Sequence, residues 1–348
     1  MPVDSLITLE TALEDADDVG GQKSVLLGNG FSIDWRSEAF HYASLFEEAH
    51  FAGLSVEKGV LFDLLETRDF ERAADYLRAA ARLAELYGLG GDNGLPFLEA
   101  DAEVVRNGLA EAVASVHPRA STSLSVAEVA SARGFLSHFT DIFTLSYDLL
   151  LYWVVNMGDA DQIVVPRKDG FEFLTAEREG DLLWKPSPTQ GRQRIHFLHG
   201  ALHLFEDAGS FTRKLRGEDG RLIDQIQANL DDEVYPLIVS EGRSSEKRQT
   251  IGRSEYLRTA GARLRELSGV VFVHGLAMSE NDAHVLEHLE SGECDVGVLY
   301  VSMFGDPESE ANEDLYVRAR RIARTRNRSG GRKLRVEFYD AASAHVWR

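Results

Sequence analysis

Apolar residues follow two rhythms along this chain, and the rhythms change in blocks. Residues 23–27 form a short apolar run closed by glycine, which predicts a buried strand. From about residue 40 to 133 the period becomes helical. In the stretch DFERAADYLRAAARLAELYG, Phe70, Ala74, Leu77, Ala81 and Ala84 share one face, Leu83 and Leu86 widen it, and Gly88 marks a stop. Similar patterns over 42–49, 60–65, 98–116 and 126–133 predict a helical insertion spanning residues 40–133.

Strand-like runs then resume. Residues 142–144 predict a strand that passes into a helix from about Tyr147, and short β pieces follow at 162–165, 171–174, 182–184 and 194–198. A polar excursion over 207–232 separates these from a predicted strand in YPLIVS, 235–240. Helices are expected at 244–252 and 254–267. GVVFVHG, 269–275, is apolar on both alternating faces, as in a sheet covered on both sides. Helix 280–290, strand 296–301, helix 310–324 and strand 334–338 complete a β/α alternation. That alternation predicts an α/β fold built on a doubly wound, mostly parallel sheet, with ligands at the carboxyl ends of the strands.

Composition narrows the function classes. The 348 residues are 44% hydrophobic, enough for a sizeable core in a single domain over 1–348. Lys and Arg number 37 against 57 Asp and Glu, a net charge of −20, which argues against a nucleic-acid surface. The basic runs at 318–321 and 324–332 read as a solvated helix face and a loop. Cys294 is the only cysteine, which excludes an internal disulfide and a four-cysteine zinc site and favours a reducing, cytoplasmic setting. The first residues lack a signal-peptide pattern, and no apolar run approaches the ~20 residues of a membrane span.

Candidate chemistry gathers where predicted strands end. Gly28-Asn29-Gly30-Phe31-Ser32 follows the first strand. Its glycines suit a phosphate cradle or simply a tight turn, and position 33 is isoleucine where a dinucleotide fingerprint has its third glycine. Thr144-Leu145-Ser146-Tyr147-Asp148 opens a helix, so Ser146 or Asp148 serves a ligand or caps that helix. His196, His199 and His203 lack the spacing of a metal site, and no metal is expected. His199, ahead of Gly200, suits a general base, or is packed at a strand end. In HGLAMSENDAH, Gly275, Ser279 and Asp282 form either a ligand turn or a capping box. His284 and His288 read as surface residues. Arg243, Lys247 and Arg248 either reach ligand phosphates or belong to a solvated loop.

Together LLGNGFS (26–32), TLSYDLLLYW (144–153), HGALHLF (199–205), PLIVSEG with EK (236–247) and VHGLAMSENDAH (273–284) resemble the sirtuin-like (SIR2-like) NAD-processing domains of bacteria. More narrowly, the chain is similar to a group known only as a domain of unknown function, DUF4917. The resemblance implies a Rossmann-like fold with a helical insertion and NAD in its cleft, as substrate or ligand. By the same resemblance Gly28, Asn29, Gly30 and Ser32 line pyrophosphate and ribose, with Phe31, Thr144 and Gly200 completing the binding set. Asp148 lies near the nicotinamide ribose, His199 is the base, and Gly275, Ser279 and Asp282 hold the adenosine half. Relatives of this type cleave the nicotinamide–ribose bond, often in anti-phage defence. One departure stands out: Ser146 replaces the asparagine of the related motif Thr-x-Asn-Tyr-Asp, and a hydroxyl reaches less far than an amide.

Three readings follow. The first is an NAD⁺ glycohydrolase acting through His199, Ser146 and Asp148. The second is an inactive sensor of NAD or ADP-ribose. The third is an assembly subunit, a homo-oligomer or the partner of a protein such as an ATPase, that uses the helical insertion as its contact surface. None involves nucleic acid or a membrane.

Overall fold

The computed structural model describes residues 6–40, 42–90, 95–157, 167–173, 182–186, 193–206, 211–217, 220–239 and 244–348. The predicted strand at 162–165 and the candidate Arg243 lie outside these residues. In chain order the strands are β1 (Lys23–Leu27), β2 (Asp141–Thr144), β3 (Arg167–Lys168), β4 (Phe171–Glu172), β5 (Leu182–Trp184), β6 (Gln193–Phe197), β7 (Leu204–Glu206), β8 (Thr212–Lys214), β9 (Ser268–His274), β10 (Asp295–Met303) and β11 (Arg335–Asp340). The main sheet runs β11-β10-β9-β1-β2-β6-β3, and every pairing in it is parallel. A small antiparallel sheet, β4-β5-β8-β7, stands beside it. Numbered along the chain, the six longer strands of the main sheet fall in the order 3-2-1-4-5-6 of a Rossmann-like sheet, with the switch point between β1 and β9.

Strand alternation explains why both faces are covered. Val25, Leu27, Ile142, Val270, Phe272 and Tyr300 enter one core, while Leu26, Phe143, Val271, Val273, Leu299 and Val301 enter the other. Helices α1 (Leu9–Val19), α2 (Gly30–Trp35), α3 (Ser37–Phe40), α4 (Tyr42–Glu48), α5 (Lys58–Leu64), α6 (Phe70–Leu86), α7 (Pro96–Val116), α8 (Val126–Ser137), α9 (Leu150–Asn156) and α10 (Leu222–Asp231) supply the described helices of the first side. Next come α11 (Ser244–Arg253), α12 (Glu255–Arg265), α13 (Ala283–Glu290) and α14 (Glu310–Ser329); α12, α13 and α14 cover the second side. The described residues between β1 and β2 form helices and turns and no strand. Their interior is sealed by an aromatic cluster of Phe46, Phe51, Phe62 and Phe70. No described helix is long and apolar enough to cross a membrane.

Several expectations fail for identifiable reasons. Over its described residues 235–239 the expected strand is reduced to a single bridge between Ile238 and Gly200, because Pro236 has no N–H to extend a ladder. The helix expected from Tyr147 begins at Leu150, since the side chain of Asp148 draws the preceding residues into a turn. The polar stretch 207–232 hides β8 and α10, whose buried Leu222, Ile223, Ile226 and Leu230 carry a helical period among charges. In the basic C-terminal run Arg326 is fully buried rather than solvated, and its guanidinium donates to the Leu289 carbonyl.

Candidate functional site

The carboxyl ends of β1, β2, β6 and β9, the four central strands, surround a cleft of about 570 Å³. This is where a sheet with a switch point between β1 and β9 leaves a crevice. Of the residues singled out in the sequence, Asn29, Gly30, Ser146, Asp148, His199, Gly275, Ser279 and Asp282 line it. Gly28, Phe31, Ser32, Thr144 and Gly200 do not; each supports the lining from behind.

The glycines of the first turn answer to packing. A Cβ on Gly28 would sit 2.3 Å from the Gly275 carbonyl oxygen, and one on Gly30 would sit 2.6 Å from the Gly275 Cα. The turns after β1 and β9 therefore meet backbone to backbone, with Gly30 N–H donating to the Gly275 carbonyl at 2.8 Å. Gly200 is similarly constrained: its φ is +74°, and an added Cβ would lie 1.8 Å from the Leu237 oxygen. Phe31 packs on Trp347, and Thr144 Oγ1 accepts the Ser146 N–H at 3.1 Å.

Asp148 is the best-held carboxylate of the site. It is 4% exposed and accepts the hydroxyls of Ser32 and Ser146, each at 2.5 Å, and the Leu150 N–H at 2.8 Å. Ser32 thus serves Asp148 and does not face the cleft. The single hydroxyl proton of Ser146 is taken by Asp148, since Asn29 Oδ1 lies farther away, at 3.4 Å. His117, at the end of α7, accepts the Leu149 N–H at 3.0 Å and fixes the same turn from the insertion side. Burial holds that imidazole below its ordinary pKa, against the pull of Asp148, so it stays a neutral acceptor.

His199 is buried, with Tyr147 beside its ring and His284 meeting it edge to edge in nearly the same plane. Its Nε2 lies 2.8 Å from Nε2 of His284, so one imidazole donates and the other accepts. Burial above all, then the charge of Lys247, pushes His199 well below its ordinary pKa and His284 down to about 3. Both are neutral at pH 7. His284 is therefore no surface residue; it is 4% exposed and belongs to the site. His196 and His203 lie elsewhere: His196 reaches Asp141, while His203 packs between Tyr152 and Phe197.

Lys247 is likewise no loop residue. Its ammonium is 2% exposed and lies 2.9 Å from Glu71 and 3.6 Å from Asp282. Burial alone would depress it; Glu71 and Asp282 outweigh that and hold its pKa above the ordinary value. Ser279 donates to the Asp282 carboxylate at 3.2 Å, so the capping box, one of the two alternatives for this turn, does not form. Burial raises the Asp282 carboxyl, against the pull of Lys247.

Glu71, Asp69 and Arg72 of the insertion also line the cleft, and sequence reasoning missed them. Asp69 caps α6, accepting the N–H groups of Glu71 and Arg72. The one available signal was Glu71 itself, a carboxylate beside the apolar stripe that begins at Phe70. Across the Gly30/Gly275 contact lies a second cavity of about 940 Å³, reaching His274, Ser302 and Phe304 at the ends of β9 and β10. Both cavities are bordered by Gly30, Ile33, Gly275, Leu276 and Ala277.

The family model described as a domain of unknown function, DUF4917, matches residues 25–347. No curated protein matches the chain.

Proposed function

The chain belongs to the DUF4917 family, whose function is unknown, and we propose that it is an NAD⁺ glycohydrolase of sirtuin-like (SIR2-like) type. The observation that carries this reading is the convergence of Asp148, Ser146 and His199 on one cleft at the switch point of the sheet. Two adjoining cavities suit a ligand with two halves, and their shared border of glycine backbone suits a pyrophosphate between them. The lining carries Asp69, Glu71, Asp148 and Asp282 against Lys247 and Arg72. Such an acidic wall favours a cation over an anion, and the reaction develops one. As the glycosidic bond breaks, its electron pair leaves with neutral nicotinamide, and positive charge spreads over the ribosyl carbon and ring oxygen. Asp148, fixed by three donors, is oriented to stabilise that charge without rearranging. Water then bonds to the ribosyl carbon and gives up a proton, which the neutral His199–His284 pair can accept. The products are nicotinamide and ADP-ribose.

Purified protein mixed with NAD⁺ and followed by chromatography is expected to release both products. The second reading, an NAD or ADP-ribose sensor without turnover, is favoured by Ser146, whose only proton is already engaged by Asp148. Calorimetric binding of ADP-ribose by a protein that releases no nicotinamide would select it.

A further inference from the structure

The helical insertion brings three charged groups to the cleft, Asp69, Glu71 and Arg72, and Glu71 ties it to the sheet side. Glu71 stands in the first turn of α6, is 5% exposed, and points at the sheet edge instead of at solvent. Its Oε1 accepts the Tyr147 hydroxyl at 2.6 Å, and its Oε2 lies 2.9 Å from the Lys247 ammonium. Tyr147 belongs to the turn after β2 and Lys247 to α11, so one side chain joins three segments remote in sequence. Its two partners are also the groups that press on His199. Tyr147 lies beside that ring at 6.3 Å between centroids, and the Lys247 charge acts on it from the other element. The Val239 carbonyl lies 3.0 Å from the same hydroxyl, whose single proton goes to the nearer Glu71 carboxylate.

Stability alone is a poor reason for such a cluster. Desolvating a carboxylate and an ammonium costs about what their attraction returns, and an apolar pair of similar size would hold α6 on the sheet as well. What a buried charge pair does supply is a fixed geometry, because each partner is intolerable without the other.

Resting on the NAD⁺ reading of the cleft, we infer that Glu71 is a positioning residue. It acts through Tyr147 and Lys247, keeping His199 and the Ser146–Asp148 turn in register, so the insertion completes the site.

The test uses the whole chain and the isosteric Glu71→Gln variant. Nicotinamide release is expected to lose about tenfold or more in kcat with KM held within about threefold, the signature of displaced reacting groups. Without any ligand, amide hydrogen exchange over 144–150 is expected to quicken while β9 and β10 keep their protection. Tyr147→Phe leaves the Glu71–Lys247 pair intact and is expected to give the same split, which decides the matter if Glu71→Gln does not fold. Either variant with kcat within twofold of wild type, or with exchange accelerated across the whole sheet, would overturn the inference. If the wild-type protein releases no nicotinamide, the NAD⁺ reading falls, and the exchange comparison alone decides the role of Glu71.

Discussion

Ser32 and Ser146 give the same two hydroxyl bonds to one oxygen of Asp148, yet they stand in different positions. Ser32 is fully buried behind the carboxylate, whereas Ser146 lines the cleft. Removing either hydroxyl leaves Asp148 under-satisfied, but only Ser146 has room to change its size. On the proposed function, His199→Ala should abolish nicotinamide release. Ser32→Ala should lower it about tenfold or more by loosening Asp148. Ser146→Asn should preserve or raise it, since an amide brings two N–H donors toward the cleft. Rates of the three variants measured at one NAD⁺ concentration check this, and a fall in Ser146→Asn would contradict the role given to that position. The residue scale also explains the missed groups. His284 and Lys247 carry no local mark of burial; they became site residues only when α11 packed against α13, with His284 reaching His199 and Lys247 reaching Glu71 and Asp282.

At the scale of elements, the turns after β1, β6 and β9 are shaped by backbone contacts that leave no space for a side chain. Gly200 and Gly88 separate the two reasons for a glycine. Both have positive φ, +74° and +64°, but Gly200 abuts the Leu237 carbonyl and Gly88 has nothing within 4 Å. Gly88→Ala should cost about 1 kcal/mol, the strain of a left-handed residue. Gly200→Ala should cost at least about 2 kcal/mol more, because the clash is with backbone. Denaturant melts of the two variants, compared at equal slope, measure the difference. The boundary of β1 was legible because an apolar run is closed there by Gly28, whereas β10 and β11 run two residues past the ends expected at 301 and 338. The register of 235–239 was not legible, since one proline broke a pattern that otherwise read as a strand.

Across the whole molecule the buried histidines link folding to pH. Burial lowers His274 to about 4, and His199 and His284 are lowered as well, while the unfolded chain titrates near 6.5. Above about pH 6.5 neither state binds these protons and stability is full. As pH falls below 6.5 the unfolded state is protonated first, so stability drops. His274 alone contributes about 2 kcal/mol of loss between pH 6.5 and 5. The buried carboxyls Asp69 and Asp282, raised by burial, act in the opposite sense. Their opposing effect sets in as pH falls to their raised values and is complete near their ordinary value of about 4, so it offsets part of the histidine loss. Urea midpoints should therefore fall from pH 7.5 to pH 5, and His274→Gln should flatten that slope. A midpoint unchanged over this range would rule out the buried neutral histidines as its source.

By itself the sequence determined the elements that repeat a local pattern: the β/α alternation, the helical block between β1 and β2, and the polar turns at strand ends. Periodicity is a property of neighbouring residues, and neighbours are what a sequence records. The strand order, the meeting of the Gly30 and Gly275 turns, and the union of Glu71, Tyr147 and Lys247 around His199 were decided only in three dimensions. Those contacts join residues tens to hundreds of positions apart. Their reason is the removal of charge and backbone from water, which no local rhythm encodes.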